Sequence, residues 1–134
     1  MKLNKNTMKV YEMDASRLRG KALSVIHPKS VADVRGVVAN NKSIVIRGAG
    51  TGLTGGCVPQ NGLDVVLDMS KMDGIYGFDK ERMTVEVEAG VILDELQHFL
   101  FRHGVEFPVN PSSHSVCTIG GMIATDAVGS RAIK

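Results

Sequence analysis

Apolar residues fall in short runs that polar turns separate. The runs LSVIH at 23–27, SIVIR at 43–47 and DVVLDM at 64–69 have the length and the branched side chains typical of buried strands. Pro28 ends the first run, because proline cannot donate to a strand ladder. We therefore predict three strands in the first half of the chain.

The segment between the first two runs has the period of a helix. Ser30 can cap it, and Asp33 stands at the third position after the cap. The helix ends at the polar NNK, and one face of it carries four valines: Val31, Val34, Val37 and Val38. The pattern predicts a strand–helix–strand unit of the size usual for a parallel pair.

A hairpin and a second helix follow. GIYGF and MTVEVEAG flank the polar DKER, and Val85, Val87 and Ala89 alternate with polar residues. Residues 91–104 predict a helix with acids in its first turn and a glycine, Gly104, after its end. Its expected buried stripe comprises Leu93, Leu96, Phe99 and Leu100.

The rest of the chain gives weaker patterns. Residues 1–22 are polar and mixed, which suggests a loosely ordered entry segment. VEFPVNP reads as a short extended piece and terminal strand, and the tail holds an apolar stretch compatible with a helix. Together these elements predict a mixed α+β domain.

Composition narrows the class of protein. The 134 residues favour one domain, and 43% apolar with 22% charged residues is the profile of a soluble globular protein. The net charge is +2, and the 16 Lys and Arg residues are scattered among 14 Asp and Glu residues without forming a basic run. We therefore expect no nucleic-acid partner. The apolar runs are shorter than the roughly 20 residues of a membrane span, and the first residues lack a signal peptide's apolar core. We expect a cytoplasmic protein.

Cysteines and histidines show no ligand spacing. Cys57 and Cys117 lie far apart with no CxxC, so we interpret them as free thiols. The four histidines lack metal-binding patterns as well. We expect no metal site, and the sequence offers no catalytic residue.

The stretch RGAGTGLTGG, residues 47–56, is the strongest candidate for function. A phosphate loop of the Walker type would end in Gly-Lys-Ser/Thr, whereas this one ends Gly55-Gly56-Cys57. Gly50, Gly52 and Gly55 match the Rossmann spacing, but CVPQNG follows where that site needs a helix. Both nucleotide-loop interpretations are therefore rejected.

Two interpretations of this loop remain. Successive backbone N–H groups in glycine-permitted conformations can form a concave nest for an anion, with hydroxyls from Thr51 and Thr54 and with Arg47 at the loop's start. The loop could instead be a tight connection that is glycine-rich for packing alone. Its ten residues are more than a connection needs, which favours a pyrophosphate ligand.

A second segment, NPSSHSVCTIGG at 110–121, repeats this chemistry. It offers serine and threonine hydroxyls and another glycine pair. By itself it is equally consistent with a turn-rich loop and with a ligand contact. Paired with the first loop, it suggests one extended polyphosphate ligand touched from two places.

RGAGTGLTGG, VEVEAGV and PSS…TIGG…ATDAVG, in this order and with DAS at 14–16, resemble the PCMH-type FAD-binding domain of the vanillyl-alcohol oxidase superfamily. The resemblance runs from about Tyr11 to Lys134 and is strongest to the branch of glycolate oxidase and D-lactate dehydrogenase. It implies the N-terminal subdomain of that fold, incomplete relative to the family, with FAD as cofactor.

The resemblance also implies a set of cofactor-binding residues. The first loop would wrap the pyrophosphate with Gly48, Ala49, Gly50, Thr51, Gly52, Leu53, Thr54, Gly55 and Gly56. The second would line the flavin and pyrophosphate with Pro111, Ser112, Thr118, Gly120 and Gly121. The ring and ribityl chain would be approached by Ala124, Thr125 and Gly129.

Single positions refine what the resemblance implies. Covalent relatives attach flavin through a histidine where this chain has Thr51, so the FAD should be noncovalent, and possibly weakly held. His114 is the one histidine expected near the flavin, and Cys117 is expected to be packing. The family usually reads GGN(I/V)ATNAGGPRA here, so Asp126 places a carboxylate, and Val128 a larger side chain, near the cofactor.

The family's FAD domain and substrate-binding cap extend well beyond the length of this chain. We therefore interpret residues 1–134 as a truncated FAD-binding domain without a substrate or cap domain. The expected function is the FAD-binding portion of a flavin-dependent 2-hydroxy-acid oxidoreductase that is inactive alone. It would be completed by a second polypeptide or by self-association. The alternatives are a cofactor-free residual fragment and a self-associating structural module.

Overall fold

The first half of the molecule forms a three-stranded parallel sheet. A computed structural model describes residues 5–130. It begins with helix α1, Lys5–Tyr11, followed by strand β1, Ala22–Ile26, helix α2, Val31–Asn40, strand β2, Ile44–Arg47, and strand β3, Asp64–Asp68. The strand order is β1-β3-β2, and all five residues of the central β3 are buried. The three strands and the strand–helix–strand unit are thus confirmed.

Asp64 fastens the entrance to the central strand. Its carboxylate accepts from the Gln60 N–H at 2.6 Å and from the Ser43 hydroxyl. These bonds, the Ser43 bond first, hold the pKa of Asp64 below its ordinary value. The carboxylate therefore joins the loop before β3 to the residue before β2.

We expect Asp64→Asn to lower the melting temperature at neutral pH. A depressed folded-state pKa contributes stability above the unfolded pKa, and this stability is lost as pH falls through the folded value. The difference between the two chains should therefore shrink below pH of about 4, the ordinary carboxyl range. Thermal melts across an acid pH series measure it, and a difference that does not change with pH would contradict this role.

Helix α2 begins as predicted but does not bury its valines. The Ser30 hydroxyl accepts from the Asp33 N–H at 3.2 Å, and the Asp33 carboxylate accepts from the Lys29 N–H. No residue of α2 is buried, and Val31 and Val38 are more than half exposed. The valine face of α2 is thus not part of the core of the described residues, because helical spacing produces burial only where another layer covers the stripe.

The second half contains a hairpin and two helices. Strands β4, Ile75–Asp79, and β5, Thr84–Val87, pair in antiparallel fashion, as predicted. Helix α3, Leu93–Phe101, ends before Gly104, which has a φ of +74°. The apolar part of the tail forms helix α4, Ile119–Ala124. The main core of this half consists of Val91, Leu93, Leu96, Leu100, Cys117, Ile119 and Met122.

Two predictions about irregular segments were wrong. From residue 5 onward the entry segment is organised, since α1 is followed by a bridge between Met13 and Arg19, and the Tyr11 hydroxyl lies 3.1 Å from His27 Nε2. Its first four residues lie outside the described part. The segment 105–111 forms no strand in the described chain. The Gln97 side-chain N–H donates to the Phe107 carbonyl at 2.6 Å, and the Gln97 side-chain oxygen accepts from the Phe107 N–H at 3.0 Å. These bonds replace those that a neighbouring strand would make. The last four residues of the tail lie outside the described part.

In residues 5–130, no helix combines the length and the apolar character that crossing a membrane requires.

Candidate functional site

The two glycine segments meet across one cavity. The first leaves the carboxyl end of β2, and the second leads into the first turn of α4. Between them lies a cavity of about 450 Å³ whose wall also includes Asp14 from the entry segment. The two candidate segments, which are far apart in sequence, therefore form one site.

The cavity divides the predicted site residues into two groups. It is lined by Gly48, Ala49, Gly50, Thr51, Gly52, Thr54, Gly56, Pro111, Thr118, Gly121, Ala124 and Thr125. It is not lined by Leu53, Gly55, Ser112, Gly120 or Gly129. Of this second group, Gly55 packs on Leu18, Gly120 on Ala89 and Gly129 on the Asn110 backbone. The small size of these three glycines is thus explained by contacts within the protein.

Gly48 brings the two segments together. A Cβ on Gly48 would stand 2.3 Å from the Thr118 hydroxyl oxygen, closer than any side chain allows. That hydroxyl caps α4 by accepting from the Gly121 N–H at 3.3 Å. Gly48 is therefore needed so that the loop can approach the start of α4.

Gly52 has no such contact. A Cβ built on Gly52 meets no protein atom within 4 Å, and Gly52 lines the cavity. In addition, the backbone N–H groups of residues 49–56 donate no hydrogen bond to an acceptor within the described chain. A glycine with room for a side chain, amid free N–H donors, is what an anion-binding nest requires.

Arg47 supplies positive charge beneath this loop. It is 6% exposed, and a Cβ on Gly50, whose φ is +73°, would stand 2.2 Å from one of its terminal nitrogens. The guanidinium donates to the Met13 carbonyl at 3.0 Å and lies 5.6 Å from the centre of the Tyr11 ring. Within the described residues no carboxylate lies within 4.0 Å of it. A buried cation without a carboxylate partner favours an anion in the loop above it.

The entry segment contacts and supports the glycine loop. The sequence did not predict this contact. The Ala15 N–H donates to the Gly50 carbonyl at 3.0 Å. Asp14 is buried, and its carboxylate accepts from the backbone and the hydroxyl of Ser16. The DAS sequence could have indicated this, because an Asp two residues before a Ser is typical of an Asx turn.

Further wall residues were absent from the predicted set: Asp14, Ile46, Cys57, Ser113, Cys117, Met122, Ala127 and Val128. Several are apolar, so the wall combines apolar side chains with the free N–H groups of the loop. Val128, whose side chain is larger than the residue usual in the family and is expected to hinder close approach of the cofactor, lines the wall and is mostly exposed. Asp126 is exposed and outside the wall, with a φ of +48°.

Cys57 is a neutral thiol in the wall. Burial raises its pKa; Arg47 opposes this effect, and Asp14, 3.7 Å from the sulfur, adds to it. A thiol with a raised pKa is a poor nucleophile at neutral pH. Cys117 is buried in the core, as predicted, and both cysteines are free.

His114 lies beside the cavity and not in its wall. Its Nδ1 is 2.7 Å from an Asp94 carboxylate oxygen, and the Asp94 N–H donates to the His114 carbonyl at 3.3 Å. These contacts fasten the second segment to the first turn of α3. His114 thus supports the second segment, and its position near a flavin stays a prediction.

Comparison with protein families identifies the domain. A model described as an FAD binding domain matches residues 22–134, which is most of the chain. The chain belongs to the FAD binding domain family. The FAD predicted from the sequence is the cofactor that defines this family.

Relatives of the FAD binding domain include hydroxy-acid enzymes. The chain is 41% identical to a D-lactate dehydrogenase of Archaeoglobus fulgidus over 82% of its own length and 25% of that protein. It is 32% identical to the glycolate oxidase subunit GlcD of Bacillus subtilis over 93% of its own length and 27% of that protein. The chain thus spans about a quarter of the length of these two relatives.

Solved structures support the fold. The superposition on an alkyldihydroxyacetonephosphate synthase covers 94% of this chain and 26% of the synthase chain, with a TM-score of 0.85 and 23% sequence identity. A second structure of a protein with this name has a TM-score of 0.75 and 26% identity. The predicted fold, an N-terminal part of the PCMH-type FAD-binding fold, is therefore confirmed.

The residues of the cavity fit FAD. Free N–H groups and a buried guanidinium suit a pyrophosphate, whose charges need donors at short range. The room beside Gly52 and the apolar wall suit a group larger than an inorganic anion. The chain's own atoms therefore agree with the cofactor of the family.

Proposed function

We propose that this chain binds FAD noncovalently, with the pyrophosphate in the nest of residues 48–56. The room left beside Gly52, amid N–H groups without protein acceptors, carries this proposal. Thr51 lines the cavity and cannot form a covalent bond to flavin as a histidine does. The cofactor should therefore be released when the protein unfolds.

Different groups of the chain would contact different parts of the cofactor. Backbone N–H groups of the loop hold the pyrophosphate, and Arg47 neutralises its charge from beneath. The second segment, with Thr118 and Gly121 at the start of α4, limits the cavity on the other side. When bound, FAD supplies hydride-accepting chemistry that no side chain of this cavity provides.

An FAD titration followed by flavin fluorescence tests the proposal. We expect saturable binding that ADP reverses and riboflavin does not, because only ADP carries the pyrophosphate. After acid precipitation the flavin should remain in the supernatant. Lack of saturation at high micromolar protein would contradict the proposed function, and flavin in the pellet would contradict noncovalent attachment.

Labelling of Cys57 offers a second test. We expect N-ethylmaleimide to modify Cys57 slowly, because burial raises its pKa, and more slowly still with saturating FAD, because the thiol lines the same cavity. Mass spectrometry over time measures both rates, and Cys57→Ser assigns the site. A rate that FAD leaves unchanged would place the cofactor elsewhere.

We further propose that the chain is the FAD-binding portion of a flavin-dependent 2-hydroxy-acid oxidoreductase of the glycolate or D-lactate type. Support comes from the relatives, and the share of their length that the chain spans suggests that oxidation needs polypeptide beyond these residues. We expect no dye-linked turnover of glycolate or D-lactate by the chain alone. Its two free cysteines favour a reducing compartment, and we propose the cytoplasm.

A further inference from the structure

The three parallel strands end in side chains that can carry charge. His27 follows β1, Arg47 ends β2, and Asp68 ends β3. Arg47 and Asp68 are partners in the register of the sheet, and each is only 6% exposed. A buried arginine beside a buried aspartate would ordinarily form an ion pair, because either charge is costly to bury alone.

The structure leaves this ion pair unmade. Within the described residues no carboxylate oxygen lies within 4.0 Å of an Arg47 nitrogen. The Asp68 carboxylate instead accepts from the Ser70 N–H at 2.9 Å and lies 3.2 Å from His27 Nε2. Two opposite charges that the sheet places side by side are therefore directed to different partners.

Tyr11, at the end of α1, contacts both groups. Its hydroxyl lies 3.1 Å from His27 Nε2, and its ring centre lies 5.6 Å from the guanidinium carbon of Arg47. Burial raises the pKa of Tyr11, and the charge of Asp68 adds to this effect, whereas Arg47 opposes it. The hydroxyl therefore keeps its proton at neutral pH and can serve as a donor beside His27 and Asp68.

We propose, on the basis of the proposed function, that Tyr11 is a positioning residue that keeps Arg47 from pairing with Asp68 and so leaves the guanidinium available to the pyrophosphate. The hydroxyl fastens one end of the side chain, and the ring lies against the cation without neutralising it. An Arg47 paired with Asp68 would first have to leave that carboxylate, and the fraction of molecules competent to bind an anion would fall.

A purely structural role for Tyr11 makes a different prediction. The residues after Tyr11 carry the Met13 carbonyl, which accepts from Arg47, and the Ala15 N–H, which donates to the glycine loop. If Tyr11 only anchored this segment, its loss would weaken FAD binding whatever stands at position 68. If it separates the two charges, the loss should depend on the carboxylate of Asp68.

FAD titrations of the unaltered chain, Tyr11→Leu, Asp68→Asn and the double variant test the proposal. We expect Tyr11→Leu to weaken FAD binding by about tenfold, the cost of losing one charge-assisted hydrogen bond. Asp68→Asn should restore most of this loss in the double variant, because a neutral amide competes for the guanidinium less strongly than a carboxylate. Tyr76→Leu, at an exposed tyrosine of β4, is the matched control and should leave the affinity unchanged.

Two results of these titrations would overturn the proposal. The first is an affinity of Tyr11→Leu equal to that of Tyr76→Leu. The second is a gain from Asp68→Asn that is equal with and without Tyr11, since removal of a negative charge would then act on the anion generally.

Unfolding of the free protein in urea gives a second readout, which needs no FAD. The coupling free energy between Arg47→Met and Asp68→Asn should be larger in the Tyr11→Leu background than with Tyr11 present, since only there would the two charges pair. Equal coupling in both backgrounds would overturn the proposal. If Tyr11→Leu does not fold, Tyr11→Phe, which loses only the hydroxyl, takes its place with smaller effects expected.

The two readouts also separate this proposal from the proposed function. Absence of FAD binding by the unaltered chain would contradict the proposed function. The coupling between Arg47 and Asp68 would still show whether Tyr11 keeps the two charges apart.

Discussion

Gly52→Val is expected to weaken FAD binding strongly and to leave the fold intact. Its side chain would enter space that is empty of protein, since a Cβ at Gly52 has no neighbour within 4 Å. In the proposed complex this space would lie against the pyrophosphate, where the N–H donors need close approach. We expect a loss of at least about tenfold in affinity, or about 1.4 kcal/mol. Flavin fluorescence and thermal melts measure the two effects.

Gly36 provides the matched control. It also has no neighbour within 4 Å of a built Cβ, but it lies in the exposed helix α2. Gly36→Val should leave FAD affinity unchanged, since the same substitution is made away from the cavity. Equal affinities for Gly52→Val and the unaltered chain would show that the room beside Gly52 is not a cofactor site.

The sequence predicted the local elements and the loop for identifiable reasons. The three strands are marked by short apolar runs, and the Ser30 cap depends on two residues three positions apart. Both signals therefore lie within a few neighbouring residues of the sequence. The loop was recognisable because glycines without a following helix exclude the common nucleotide motifs. The resemblance supplied the second segment, which the residues alone left undecided.

What the sequence did not predict depends on contacts across long separations. Asp14 and Ala15 reach the glycine loop from a distant part of the sequence, as in the bond from Ala15 to Gly50. The α2 valines have a core-like spacing, but whether another layer covers them is a property of the whole fold. Neither the empty space beside Gly52 nor the crowding of Gly48 against Thr118 is visible in a run of glycines.

Arg47→Met is expected to weaken FAD binding without destabilising the free protein. Burial of a guanidinium costs several kcal/mol, and among the described residues its hydrogen-bond partners are a carbonyl and a thiol, not a carboxylate. Methionine removes that cost and fills similar volume, and Met13, whose carbonyl would lose this donor, is 39% exposed. We therefore expect an unchanged or higher melting temperature. The lost charge interaction, about 1.5–3 kcal/mol, corresponds to about tenfold to a hundredfold in affinity.

Salt dependence and two further variants separate charge from packing. Raising ionic strength should weaken FAD binding by the unaltered chain more than by Arg47→Met, because the variant has lost the cation beneath the loop. Arg47→Lys should retain part of the affinity, since it keeps the charge but not the planar donor fork. Arg35→Met removes the same charge from the exposed surface of α2 and should have no effect. If Arg47→Met binds FAD as tightly as Arg35→Met, the buried guanidinium supports only the fold, and the anion is held by the loop's N–H groups alone.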